Sequence, residues 1–423
     1  MSLHHPYQIT HIYLDQLQAP PQLDFDRQGH YLVFWWKAIA LGHLFLRQGS
    51  SLTPEAYYNK LAAAISPAIE HYAAGHAAAT GDWHQWLLQQ NMQAWAEWMD
   101  RIFSAWLPEQ LPAKVPVSVI VCTRNRAAQL GKCLHMLTNL SCQPAEIVVV
   151  DNCSDGPSTR ETAEKFSGVI YVREPRIGLD IARNTGIAHA TAPIVAYVDD
   201  DVAVHPLWLY RVWETFQDPA VAAMTGLVIA SELDTEAQFI FEQHWSFNRG
   251  YVDVVYDRAF FDATLSQGPP VWRIGAGANM AFRRDVFEEA GYFNELLDVG
   301  AAGCNGDSEM WYRILAKGDV ILYNPRAVVY HEHRRDMKGL RKQIYSYMRG
   351  FTAAALIQQQ QHQKAGYARH IFRKLPRHYL RMLKAGFPRY GYRYSTLWVE
   401  IKGVLSGLAF YFRHRNHRPD SSR

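Results

Sequence analysis

Asp199, Asp200 and Asp201 stand in a row directly after the apolar run "IVAYV" (194–198), and no Lys or Arg lies within five positions of them. Three neighbouring carboxylates repel one another, so the triplet is either a solvated turn or the seat of a cation. A hard divalent ion such as Mg2+ or Mn2+ takes oxygen ligands, typically one or two carboxylates plus phosphate oxygens. Asp199 and Asp201, two apart at the end of a strand, can share such an ion with a diphosphate.

Other polar groups occupy equivalent places. "CTRNR" (122–126) follows "VSVIVC" (117–122) and puts Thr123, Arg124 and Arg126 at a strand end, where they either line a site or cap the next helix. Asp151 closes "EIVVVD" (146–151); its carboxylate can accept a base N–H or a ribose hydroxyl, or form an Asx turn. Arg173, Arg176 and Arg183 in "REPRIGLDIARNTG" can meet phosphate oxygens. Asp307 opens the helical "SEMWYRILAKG", either as a carboxylate that accepts a proton or as a helix cap.

Short apolar strands alternating with helices from Val117 onward predict an α/β fold, a mostly parallel nucleotide-binding sheet flanked by helices. Ligands of such sheets bind beyond the carboxyl ends of the strands, so these turns are expected to converge. Upstream, "YLVFWWKAIALGHLFLR" (31–47) predicts a β-hairpin. Residues 54–108 read as helical, with Trp83, Trp86, Leu87, Met92, Trp95, Trp98 and Met99 spaced as a packed helix face. The proline-rich "LPEQLPAKVP" (107–116) marks a linker. Three parts are expected: an N-terminal hairpin and helical module (1–110), a catalytic domain (115–333) and a basic helical tail (334–423).

Charge separates the last two. Residues 334–423 hold 20 Lys/Arg against three acids, a net +17, whereas residues 1–333 hold 23 against 37, a net −14. "GLRKQIYSYMRGFTAAALI" and "TLWVEIKGVLSGLAFYFRHR" mix apolar faces with basic residues, the pattern of helices at an anionic membrane surface or of a helical subdomain packed on the body. No nucleic-acid-binding motif accompanies the basic tail. The five cysteines form no Cys-x-x-Cys pair, which favours a reducing, cytoplasmic setting. The first twenty residues lack the order of a signal peptide, and no run approaches the ~20 apolar residues of a membrane span.

Taken in order, "VSVIVCTRNR", "EIVVVDN", "EPRIGLDIARNTG", "IVAYVDDDV", "GAGANMAFRRDVFEEAGYFNE" and "GDSEMWYRILAKG" resemble the family 2 glycosyltransferases, whose domain has the A-type glycosyltransferase fold. The resemblance covers residues 117–333 and implies a bacterial member with extensions at both ends. It implies that Thr123, Arg124, Arg126, Asp151, Arg183, Asp199 and Asp200 face the nucleotide-sugar. It also implies that Asp199, Asp201 and a late histidine, His331, hold Mn2+ or Mg2+, though His331 can equally be a lone surface residue. Asp307 is implied as the catalytic base. Gly277 and Asn279 of "GAGANM" would admit sugar or acceptor, or simply form a bend, and Glu309 matches an acidic position of the family. Two departures stand out: Cys122-Thr123-Arg124 replaces a frequent Pro-Thr-Tyr, and Gly306-Asp307 replaces a Glu-Asp pair.

The expected function is metal-assisted, inverting transfer of a sugar from a nucleotide-sugar, a UDP-sugar first among them, to a lipid-linked or polysaccharide acceptor. The protein would be cytoplasmic and peripheral on the inner face of the cell membrane, held there by its tail. The alternatives are a nucleotidyltransferase, for which an early glycine-rich phosphate loop is missing, and a non-catalytic nucleotide-sugar-binding protein.

Overall fold

The computed structural model describes residues 6–74 and 81–416. Among the described residues, twelve strands form two sheets. In the smaller, β1 (Tyr7–Tyr13) runs parallel to β2 (Gly29–Trp36), which pairs antiparallel with β3 (Ile39–Leu46) as the predicted hairpin. The larger contains β4 (Lys114–Thr123), β5 (Gln143–Asn152), β6 (Val169–Glu174), β7 (Ile194–Asp199), β8 (Val202–Val204), β9 (Val221–Ala230), β10 (Val254–Tyr256), β11 (Asn279–Arg283) and β12 (Val320–His331). Its order is β10-β12-β9-β11-β7-β4-β5-β6, with β8 added beside β12.

The predicted α/β sheet flanked by helices is present. Strands β7, β4, β5 and β6 are parallel neighbours, as the alternation of strand and helix requires. The other half is mixed: β11 runs antiparallel to both β7 and β9, while β8 and β10 run antiparallel to β12. Successive side chains of a strand point to opposite faces. Val119 and Val121 of β4 therefore join one apolar layer with Leu130 and Leu134, and Ile120 joins the other with Ala182 and Ile187. Burial on both faces explains why these strands read as unbroken apolar runs.

The N-terminal module shares its core with this sheet. Tyr31 through Trp36, Trp95, Trp98 and Met99 pack in one cluster with Leu227 and Ile229 of β9 and Val328 of β12. The tryptophan stripe is thus a packed helix face, as its spacing predicts, although the helical stretch is divided into helices Pro54–Ala73, Trp83–Leu88 and Met92–Phe103. Two further contacts cross the apolar seam. The Trp35 ring, whose Nε1 donates to His11 Nδ1 (2.9 Å) within the module, stacks on His205, just beyond β8. Arg326 of β12 donates to both oxygens of Asp253 (2.6 and 2.7 Å) and lies 4.7 Å over the Trp106 ring.

The two tail segments pack against each other and against the body. Helix Met337–Gln361 buries Leu340 and Ile344 beside Ile240 and Phe241, and Ala353 and Ala354 beside Leu297 and Ala302. Gly403 and Gly407 bring helix Leu397–His414 onto it; a Cβ there would lie 2.7 Å from the Tyr345 carbonyl and 2.5 Å from that of Arg349. Helix Met337–Gln361 thus spends its apolar face inside the protein, whereas helix Leu397–His414 also leaves Trp398, Leu405 and Phe412 exposed. Among the described residues, no helix is long and apolar enough to cross a membrane.

Arg326 is 6% exposed, and removing one partner of a buried, hydrogen-bonded ion pair strands the other charge. Arg326→Ala should therefore lower the unfolding free energy by about 3 kcal/mol, measured by urea titration. A loss within experimental error would mean that the seam does not depend on this pair.

Candidate active site

The carboxyl ends of β4, β5 and β7 lie side by side, with Thr123 in register with Asp151 and Cys122 with Asp199. The three turns that follow these strands meet. Asn125 N donates to Ser154 Oγ (2.9 Å), and Asn125 and Asp155 exchange two further bonds across the same gap. Thr123 Oγ1 donates to Asp200 Oδ2 (2.7 Å), while Arg126 donates to Asp200 Oδ1 (2.6 Å) and Asp201 Oδ2 (2.7 Å). The predicted convergence is therefore geometric fact, and Arg126 is the clasp. Arg124 is exposed on the same turn.

Within the triplet the three carboxylates are not equivalent. Asp200 turns inward to Thr123 and Arg126, and burial pushes it up to about 6. Asp199 and Asp201 instead face His331 at the end of β12: one donor atom from each of the three lies within 4.8 Å of the others. Burial, reinforced by Asp201, pushes Asp199 up to about 7. Burial also acts to raise Asp201, but the Arg126 guanidinium on Oδ2 holds it below the ordinary carboxylate range. Its Oδ1 is left toward His331 Nε2, 3.7 Å away. Burial pushes His331 down to about 4, so its imidazole is neutral, and its buried Nδ1 finds no hydrogen-bond partner among the described residues. Two carboxylates and a neutral imidazole are a donor set that a divalent cation fits. A cation would also relieve the repulsion that raises Asp199.

A second cluster lies around Asp307. Helix Gly306–Lys317 is entered through Asn305 in the left-handed region (φ 92°), so Asp307 is its second residue and not its cap. Asp307 Oδ2 accepts from Gly277 N (2.8 Å) and Oδ1 from Ser308 N (2.6 Å). Burial raises this carboxyl against the opposing pull of Arg183. Arg183 Nη1 donates to Asp180 Oδ1 (2.8 Å) and Asp298 Oδ2 (2.7 Å), and its Nη2 would lie 2.8 Å from a Cβ at Gly277. Cys122 separates the two clusters; burial pushes its thiol up to about 12, with Arg183 and Asp199 acting on it in opposite senses.

The remaining candidates divide. Asp151 is 2% exposed and both oxygens are engaged, Oδ1 by the Ser154 N–H three residues on (3.0 Å) and Oδ2 by the Tyr171 hydroxyl (2.7 Å), so its carboxylate is tied to its own turn and to β6. Arg176 pairs with Glu174 and Glu295. Asn279 is not brought to the site. Its Oδ1 accepts from Trp208 Nε1 (2.9 Å) and its amide donates to the carbonyls of Leu227 and Ala327, tying β11 to β9 and β12. Glu309 is 1% exposed and accepts from Arg313, which also holds the carbonyls of Ala290, Gly291 and Tyr292. Both face inward, away from the ligand roles expected of them. Asp180, Asp298 and Tyr171 went unread: only a close approach in space reveals them.

Residues 118–291 match the model of the glycosyl transferase family 2. These residues are a family 2 glycosyltransferase domain. The chain is similar to the glycosyltransferase AglE of Haloferax volcanii, with 31% identity over 44% of this chain and 58% of that relative. It is also similar to the glucosyl-dolichyl phosphate glucuronosyltransferase of the same organism, with 24% identity over 51% of this chain and 69% of that one. The AglE match therefore spans little more than half of that relative's length. Among solved structures, the mannosyltransferase PcManGT from Pyrobaculum calidifontis, in complex with GDP-Man and Mn2+, overlaps 83% of this chain and 88% of its own at a TM-score of 0.39 and 19% identity. In this glycosyltransferase domain the triplet, the Arg126 clasp and the β4 and β5 turns fall inside the matched residues, whereas Asp307 and His331 lie beyond them.

Gly306, which replaces a glutamate expected in the family, has a steric cause. A Cβ at this position would overlap the Asp180 carboxylate. Overpacking of this kind costs about 1–3 kcal/mol. Gly306→Ala should destabilise the protein by that order, and most of the loss should vanish in an Asp180→Ala background. Additive losses in thermal or urea melts would show that the two positions do not touch.

Proposed function

We propose that the protein is a metal-assisted, inverting glycosyltransferase that moves a sugar from a nucleotide-sugar, a UDP-sugar first, to a lipid-linked or polysaccharide acceptor. The observation that carries this reading is the pairing of a cation-fitting set, Asp199, Asp201 and His331, with a separate carboxylate, Asp307, anchored at Gly277. Mn2+ or Mg2+ held by those three residues would neutralise charge on a departing nucleoside diphosphate. Asp307 keeps one proton-accepting face and takes the proton of the acceptor hydroxyl as that oxygen attacks the anomeric carbon. Its anchoring through the Gly277 and Ser308 amides fixes the direction from which that proton is taken. Thr123 and Arg126 act by holding the triplet in shape, and Arg124 is left to meet the donor's phosphates.

The decisive assay is transfer and donor hydrolysis across nucleotide-sugars with added Mn2+ or Mg2+. Asp201→Ala should abolish Mn2+-dependent binding of UDP in calorimetry while the melting temperature stays near wild type. Unchanged UDP affinity in Mn2+ would remove Asp201 from the metal set.

The acceptor class rests on the surface of the tail. Helix Leu375–Gly386 buries Tyr379 and Met382, yet Phe372, Leu380 and Phe387, on and beside it, are 54%, 58% and 74% exposed. Arg373, Arg377, Arg381, Lys384 and Arg389 surround this apolar ridge and are exposed. Apolar side chains ringed by cations suit an anionic lipid surface, where each basic residue contributes about 1 kcal/mol. Lipid docking through this ridge would bring the site to a lipid-linked acceptor on the inner face of a membrane. Phe372→Ser, Leu380→Ser and Phe387→Ser together should release the protein from phosphatidylglycerol vesicles in co-sedimentation. Equal pelleting of variant and wild type would rule the ridge out.

A further inference from the structure

Asp180 is 1% exposed in helix Leu179–His189, too deep to touch a substrate, and the assigned reaction gives it no task. Its Oδ1 takes Arg183 Nη1, while its buried Oδ2 finds no hydrogen-bond partner among the described residues and lies against Gly306, the first residue of the helix that carries Asp307. Asp298 takes the same Arg183 nitrogen from the opposite side; its own backbone is left-handed (φ 62°), and its Oδ1 accepts from Val299 N (2.8 Å). The guanidinium therefore has one nitrogen gripped by two carboxylates and the other beside Gly277, whose amide holds Asp307 Oδ2. Phe293 closes its ring face at 5.4 Å.

We infer that Asp180, Arg183 and Asp298 form a buried clamp that positions Asp307 and sets its basicity, with Gly306 kept small to admit Asp180. The inference rests on the reading of Asp307 as the base. Arg183, foreseen as a phosphate ligand, is spent inside the protein and reaches the reaction only through Asp307. The clamp works in two ways. Mechanically, Asp180 sets the start of helix Gly306–Lys317 against helix Leu179–His189. Electrostatically, Asp298 draws off charge of Arg183 that would otherwise stabilise ionised Asp307 and weaken it as a base, while burial and Asp298 hold the Asp180 carboxyl well above the ordinary range against the pull of Arg183. The other groups that act on Asp307 are Cys304 from the loop before it, Arg249 from the loop beyond helix Glu236–His244, and Tyr347 from helix Met337–Gln361. None of them contacts Arg183 in place of its two carboxylates.

Asp298→Asn keeps the shape and leaves Gly306 undisturbed, but removes the carboxylate that draws Arg183 away from Asp307. The acidic limb of the kcat–pH profile should then move to lower pH, because Arg183 is freed to favour ionised Asp307. Transfer kcat should fall about 10- to 100-fold with donor KM near wild type, the pattern of a displaced and weakened base. A merely structural Asp298 would lower the folded fraction and leave the profile of the folded enzyme in place. If Asp298→Asn does not fold, Asp180→Ala removes the other arm and should lower kcat with donor KM near wild type. Asp307→Asn serves as the control. If it retains more than about a tenth of the wild-type rate, the base reading falls and the clamp with it. If it collapses while Asp298→Asn keeps the wild-type profile and Asp180→Ala the wild-type kcat, the clamp alone is overturned.

Discussion

Too many carboxylates for the cations beside them: this imbalance governs the mouth of the large sheet. Asp199, Asp200 and Asp201 share Arg126 with a distant contribution from Arg334, and Asp180, Asp298 and Asp307 gather at Arg183. Buried ions of one sign are strongly unfavourable unless a proton, a partner or a metal offsets them. The chain uses different offsets in the two clusters. At Arg183 two carboxylates and one guanidinium form a closed group, leaving Asp307 with raised proton affinity. At the triplet the Arg126 clasp satisfies Asp200 and half of Asp201, so the residual negative charge is concentrated on Asp199 and Asp201 Oδ1, beside a neutral imidazole. Excess charge is thus channelled to one place suited to a cation and another suited to a proton.

Much of this was legible because it is local. Strand, turn and helix follow one another at short range from Val117, so apolar run lengths alone predict the parallel half of the sheet and the meeting of its turns. The antiparallel half was less so, since β8, β10 and β11 are short and their direction is fixed by distant partners. Glu309 illustrates a different failure. It stands two residues from Asp307 on a helix, and residues at that spacing do not share a face, so an ion pair with Arg313 was foreseeable from geometry. Asn279 sits among glycines and alanines that suggest room for a ligand, but it is the first residue of β11, and strand pairing turns its amide inward.

Asp180 and Gly306 were invisible for a deeper reason. They are 126 positions apart, and each is unremarkable alone: one lies early in an amphipathic helix, the other at the start of a second. Only their contact shows why a larger residue is excluded at 306. The tail stays open between its two readings for the same kind of reason. Apolar faces in "GLRKQIYSYMRGFTAAALI" and "TLWVEIKGVLSGLAFYFRHR" say that something covers them, and composition does not distinguish lipid from protein. Gly403 and Gly407, four apart, were the available signal for helix-on-helix packing.

The extensions follow from the imbalance at the mouth. Like charges push apart the loops that bear them, and those loops have little sheet of their own to resist. Each cluster is braced from outside by an extension. Behind the triplet, Trp35 of the N-terminal module stacks on His205, and Arg326, through the Tyr72 hydroxyl and the Trp106 ring, ties β12, the strand that ends in His331, to the same module. Behind Asp298, Ala353 and Ala354 of the tail pack on Leu297 and Ala302, the apolar residues of the loop that presents it. A cation or proton supplies only part of the compensation, and only when bound. The packing supplied by residues on either side of the domain is permanent, and it lets the carboxylates stay close enough together to act.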